Sequence, residues 1–133
     1  MTEEIKKASH EDVEKNKAMA IVGYIFPFLF FVPLVNDESK KSEYARFHAN
    51  EQLILLIYWV GGSILFGICL AILSFVILAI VPIAVFVLPL LVSLVWFAFS
   101  VFGIVLIILG AVSASNGSMK ALPLIGRIEI IKK

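Results

Sequence analysis

The sequence predicts an all-α membrane protein, with three transmembrane helices in a small bundle and a polar N-terminal tail or helix ahead of them. Three observations carry that prediction. Leu53 to Val112 is sixty consecutive residues without one Asp, Glu, Lys, Arg, His, Asn or Gln. Residues 18–35 add eighteen uncharged, almost wholly apolar positions. Composition agrees: 61% of the 133 residues are apolar, 16% are charged, and the mean hydropathy is +1.03. A soluble domain of this size has too little interior to bury so much apolar surface. Sixty helical residues would reach roughly 90 Å, against a hydrocarbon core of about 30 Å, so the long run must fold back on itself.

Residues 1–17 form a polar tail or helix. Glu3, Glu4, Glu11, Asp12 and Glu14 alternate with Lys6, Lys7, Lys15 and Lys17, which is not the basic start and short apolar core of a secretory signal. Ser9 and Asp12 have the spacing of a capping box, which would open a helix there. Residues 18–35 read as the first transmembrane helix, about 27 Å long and kinked by Pro27 and Pro33. Tyr24, Phe26, Phe28, Phe30 and Phe31 would give it a bulky surface toward lipid or a neighbouring helix.

Residues 36–52 are a charged loop and an interfacial helix entrance. Asn36 to Glu43 must lie in water or headgroups, and Ser42 is placed to cap the next helix with Glu43 in its first turn. Then comes Tyr44-Ala45-Arg46-Phe47-His48-Ala49-Asn50-Glu51-Gln52. On a helix, residues three and four apart are neighbours, so Arg46 meets Asn50, His48 meets Glu51 and Gln52, and Tyr44 meets His48. A polar cluster, Tyr44, Arg46, Phe47, His48, Asn50, Glu51 and Gln52, therefore stands at the mouth of a span as the candidate contact for a partner or for lipid.

Pro82 is the strongest break in the long run, with Pro89 seven positions later. It divides the run into a second transmembrane helix, residues 53–81, and a third, residues 83–113. Ser63, Gly67 and Ala71 repeat at four-residue spacing, while Ser93, Ser100, Gly103 and Gly110 share a heptad-like face. Small residues let membrane helices approach closely, so these faces are expected to pair, within one chain or between copies. Residues 114–133 are a basic tail. Asn116-Gly117 stops the helix, and Lys120, Arg127, Lys132 and Lys133 supply the charge, with Arg127-Ile128-Glu129-Ile130 alternating as an extended surface segment would.

With three spans, the first loop and the C-terminal tail share a side carrying seven Lys and Arg, against four on the N-terminal side. The positive-inside rule then puts the loop and C-terminus in the cytoplasm of a cell-membrane protein and the N-terminus outside. Four spans would instead put both tails on one side.

The sequence offers little chemistry. A formal net charge of +1 gives no basic face for nucleic acid. Cys69 is alone in the apolar run, and no cofactor or metal motif occurs. His48 and Glu51 are the only His and carboxylate close on one helix, and His10, the other histidine, lies in a remote tail, so neither a three-ligand metal site nor a catalytic residue is expected. Arg46 would bind lipid phosphate or snorkel to the interface.

The order of a proline-bearing apolar span, a charged loop, Arg46-Phe47-His48-Ala49-Asn50-Glu51-Gln52, two long spans, Ser115-Asn116-Gly117 and a Pro123-Leu124 tail resembles the small prokaryotic membrane proteins related to the twenty-kilodalton component of the Tic translocon of the chloroplast inner envelope. The resemblance covers roughly residues 18–131, with Glu51 as an extra residue in its sharpest stretch. It implies membership of a family that includes part of a protein-conducting complex. Three expectations follow: first, a non-enzymatic oligomeric or accessory subunit of a membrane assembly, in contact with membrane lipids and either itself or other membrane proteins; second, a pore or protein-translocation component; third, a membrane enzyme acting on a lipid-like ligand near His48 and Glu51.

Overall fold

The structure is a computed structural model and describes residues 9–131. Its regular secondary structure is helical: α1 (His10–Ile25), α2 (Val32–Val35), α3 (Glu43–Ile57), α4 (Ser63–Ile80) and α5 (Leu88–Ser115). Short 3-10 turns occupy Pro27–Phe31, Ser39–Lys41 and Pro82–Phe86, and one π-helical turn, Tyr58–Gly62, joins α3 to α4. The contacts group into two compact units, residues 1–56 with 105–133, and residues 57–104.

Helix α1 begins where its cap predicts. The Ser9 hydroxyl accepts a hydrogen bond from the Asp12 amide at 3.4 Å, with Glu11 and Asp12 in the first turn facing the positive helix end. Lys15 donates to Glu11 at 2.9 Å, and this contact holds the exposed Glu11 carboxyl below its ordinary pKa and the Lys15 ammonium above its own. The helix runs from the polar segment into the apolar one and stops at Ile25.

That stop corrects the first predicted span. Residues 18–35 do not form one helix: Phe26 leaves helical geometry, Pro27 opens a 3-10 turn, and only Val32–Val35 return to α-helix. A proline has no amide to donate and its ring crowds the preceding turn, so two of them six residues apart end the helix rather than kink it. The eight apolar residues left in α1 reach about 12 Å, too short to cross.

Among the described residues, two helices are long and apolar enough to cross a membrane, Glu43–Ile80 and Leu88–Ser115. The first fuses what the sequence divides at residue 52. The loop's last residue, Ser42, caps the helix through its hydroxyl, which accepts from the Ala45 amide at 2.9 Å. From there helical geometry continues for 38 residues through the π turn to Ile80. Val81 and Pro82 end it, and the Pro82–Phe86 turn leads into α5.

In the unit of residues 57–104, aromatic side chains lie on glycines. The Trp59 ring covers Gly103, the Phe99 ring lies against Gly62, and Trp96 lies against Gly67. Tyr58 stacks on Phe99 at 4.7 Å between ring centroids, and its hydroxyl donates to the Phe99 carbonyl at 2.7 Å. Phe66 stacks on Phe99 and meets Trp96 edge-on, with ring centroids 5.6 Å away in both cases. Gly103 is the only buried residue of this unit, whose outward positions, Phe75, Phe86 and Phe97 among them, are apolar and exposed.

These contacts revise the expected face-to-face pairing of small residues. Gly67 and Gly103 sit under indole rings, Ser63 and Ser100 are half-buried, and Ala71 and Ser93 are exposed. Ser93 turns its hydroxyl back to the Leu90 carbonyl at 2.8 Å, as serines in apolar helices do when no other partner is near. Gly110 belongs to the other unit, where the ring of Tyr24 from α1 lies on it.

Candidate functional site

The core of the unit formed by residues 1–56 and 105–133 buries His48, Asn50, Glu51 and Gln52 beside Tyr24, Leu55, Leu106 and Leu122, and the first ten residues of α3 build its polar part. Helix spacing gives that segment one face toward α1, one toward the end of α5 and one toward the tail, and a polar side chain reaches each. Gln52 donates from Nε2 to the Ala20 carbonyl of α1 at 2.9 Å, passing over Gly23. Tyr44 donates to the Ala114 carbonyl at the end of α5 at 2.6 Å. Asn50 grips the tail with both ends of its amide: Nδ2 donates to the Ile128 carbonyl at 2.9 Å, and Oδ1 accepts from the Ile130 and Ile131 amides at 2.7 and 2.9 Å. Glu51 accepts the Leu122 amide on Oε2 at 2.7 Å.

His48 stands at the centre and is fully buried. Its Nε2 lies 3.0 Å from the Ser118 carbonyl, which can only accept, so Nε2 carries a proton and donates. In the neutral ring Nδ1 is then an acceptor, and the Tyr24 hydroxyl, 2.7 Å away, donates to it. Tyr44 and Phe47 meet the imidazole edge-on, with ring centroids 4.5 and 5.1 Å away.

The chain turns back under this cluster through the end of α5. Gly117 has φ +66°, its amide bonds to the Ala114 carbonyl at 3.1 Å, and the Ser118 amide bonds to the Ser113 carbonyl at 3.1 Å. This is a Schellman stop, and the left-handed residue it needs is the glycine. Ser113 and Ser118 close the turn through their hydroxyls, 3.1 Å apart.

Of the seven candidate contact residues, the structure therefore places Tyr44, His48, Asn50, Glu51 and Gln52 inside the unit, holding its own chain together. Arg46 and Phe47 are half-buried and face a cavity of about 340 Å³, whose wall also holds Glu43, Asn50, Glu51, Met119, Glu129 and Ile131. Tyr24, read as part of a bulky surface toward lipid or a neighbouring helix, is fully buried against neighbouring helices, and its bond to His48 is what sequence reasoning missed. Its signal was present: it is the only side chain in residues 18–35 that combines a large ring with a hydrogen-bonding tip, and a buried tyrosine hydroxyl needs a partner. Among the described residues, no three His, Cys, Asp or Glu side chains gather as a metal-holding group.

Fold and site define a class: a small helical membrane protein whose two long apolar helices end in a polar clasp made by α1, the first turns of α3 and the C-terminal tail. Within that class the family is known. The model of the magnetosome magnetite crystal formation protein family (MamF/MmsF) matches residues 14–129, and the chain belongs to that family. No curated protein and no solved structure matches it.

The family match overturns the resemblance to the Tic-related proteins and leaves the expectation of a pore or protein-translocation component without support. The stretch that carried the resemblance, Arg46 to Gln52, lies inside the matched residues. It consists largely of the side chains that a clasp of this kind requires, so its pattern reports a way of fastening a helix end.

Proposed function

We propose that this protein is a non-enzymatic accessory subunit of a membrane assembly, held there by self-association or by other membrane proteins through its apolar helices. The observation that supports it is the division of labour along the chain. The His48 and Glu51 side chains are turned inward, with both nitrogens of His48 bonded and Glu51 1% exposed with one oxygen on the Leu122 amide. What the protein offers its surroundings is the exposed apolar and aromatic surface of residues 57–104. A contiguous surface of that kind is either lipid-facing or an interface.

Family membership points to the setting. Magnetite crystal formation would make iron the cargo of the assembly, and the described acidic residues do not gather into a site that would hold it. Support from the membrane side, by organising neighbouring subunits, fits these residues better than contact with mineral ions. Photo-crosslinking from Phe97, which is 68% exposed on α5, tests the reading in native membranes. Adducts with a second copy or with another membrane protein are expected. Adducts with lipid alone, at Phe97 and again at Phe75 on α4, would overturn it.

A further inference from the structure

We infer that the cavity beside Arg46 is a binding site for the headgroup of an amine-bearing zwitterionic phospholipid, of the phosphatidylethanolamine class. The inference rests on the reading of this chain as a membrane protein whose clasp lies at the bilayer edge. The cavity is about 340 Å³, the size of a headgroup and not of a whole lipid. It opens among residues 43–51, and the charge-free run of the same helix starts at Leu53, so an occupant with acyl chains would have hydrocarbon within two helical turns.

Two unsatisfied groups point to the ligand. The half-buried Arg46 guanidinium makes no side-chain hydrogen bond or ion pair with the described residues, and its Nε is shut off from water without a partner. A guanidinium has five N–H donors in a fork that fits phosphate, and leaving one buried and unpaired is costly. Glu51 is 1% exposed, with Oε2 held by the Leu122 amide and Oε1 without a partner. An anion alone would satisfy the first group and leave the second without a donor. Among the described residues the wall carries three carboxyl groups, Glu43, Glu51 and Glu129, and two guanidiniums, Arg46 and Arg127, of which Glu43 and Arg127 have interactions of their own. A phosphate joined by two carbons to a primary ammonium meets both needs, with N–H donors for the carboxylates that a trimethylated amine lacks. Phe47, Met119 and Ile131 supply apolar wall for the glycerol and the first methylenes.

Native mass spectrometry of the full-length protein in detergent, with dioleoyl phosphatidylethanolamine, phosphatidylglycerol or phosphatidylcholine added at equal concentration, tests this. The ethanolamine lipid is expected to give the dominant adduct. Arg46→Ala should weaken it by about tenfold, the loss of one charge-assisted contact, with part of the binding restored in Arg46→Lys. Glu129→Gln, an exposed change, should narrow the preference over phosphatidylglycerol. Because the Arg46 Nε has no partner among the described residues, circular dichroism of Arg46→Ala should match the parent. Undiminished binding by Arg46→Ala, or equal adducts with phosphatidylglycerol, would overturn the site. Displacement of the lipid by an equal concentration of free phosphoethanolamine would overturn the lipid as its occupant. The Phe97 crosslinks do not depend on Arg46, so failure of this site and failure of the subunit reading are separately visible.

Discussion

His48 bonds outward through both ring nitrogens, to the Tyr24 hydroxyl and to the Ser118 carbonyl, from a position with no exposure. Replacing it by Phe keeps a ring of similar shape, leaves the buried Tyr24 hydroxyl without its partner and leaves the Ser118 carbonyl with the Ser113 hydroxyl alone. That should cost about 1–3 kcal/mol, because an orphaned buried partner loses its water as well as its bond. Tyr24→Phe removes one hydroxyl and leaves Nδ1 open, and should cost less. Thermal unfolding of both single variants and of the double variant checks this, and a double variant no worse than His48→Phe alone would show that the two residues share one interaction. The sequence displayed half of this arrangement. A histidine, a glutamate and two amides in the first turns of an apolar helix are conspicuous, and their clustering was legible from helical spacing. Their partners were not, since Tyr24 lies 24 positions away and Ser118 lies 70 away, and six of the seven bonds end on backbone carbonyls or amides that carry no residue signature.

Among the elements, the boundaries written by side-chain chemistry were the legible ones. Ser9, Ser42, Pro82 and Asn116-Gly117 each mark a helix end that the structure has, because a cap, a missing amide or a left-handed turn acts within four residues. The first apolar segment has the length and hydropathy of a span, but its two prolines interrupt the helix after Ile25. The tail supplies a paired test. Gly117 at φ +66° is buried with Val13 packed on it, whereas Leu124 at φ +67° has 83% of its surface exposed. Gly117→Ala should destabilise by about 1 kcal/mol or more, and Leu124→Gly should be neutral or stabilising by up to about 1 kcal/mol, since a side chain is unfavourable in that region. Urea midpoints in detergent would order the variants. In the unit of residues 57–104, Gly103→Leu would drive a side chain into the Trp59 ring, and overpacking of this kind costs about 1–3 kcal/mol. With Trp96→Phe as background, the emission of Trp59 should shift to the red; an unchanged spectrum would mean that the indole does not rest on Gly103.

For the whole molecule, the number of crossings decides the orientation, and orientation separates the present reading from the three-span expectation. All eleven Lys and Arg lie outside residues 53–112, at positions 6 to 46 and 120 to 133. If the chain crosses only at Glu43–Ile80 and Leu88–Ser115, both groups face one side, and the opposite side holds the uncharged turn around Pro82–Phe86. The charge asymmetry is then eleven against none, where three spans gave seven against four. Short segments bearing Lys and Arg stay in the cytoplasm, so both groups should be cytoplasmic. The clasp demands the same: Gln52 bonds the α1 backbone at Ala20 while Asn50 and Glu51 bond the tail, so α1 and the tail meet the same turns of one helix. Reporter fusions at residues 1 and 133, active only in the cytoplasm, should both be active, and a cysteine placed at Ala84 should react with a membrane-impermeant maleimide added from outside. An inactive reporter at residue 1 beside an active one at residue 133 would restore a third crossing. It would also require residues 18–35 to straighten across the bilayer and the Tyr24–His48 bond to break.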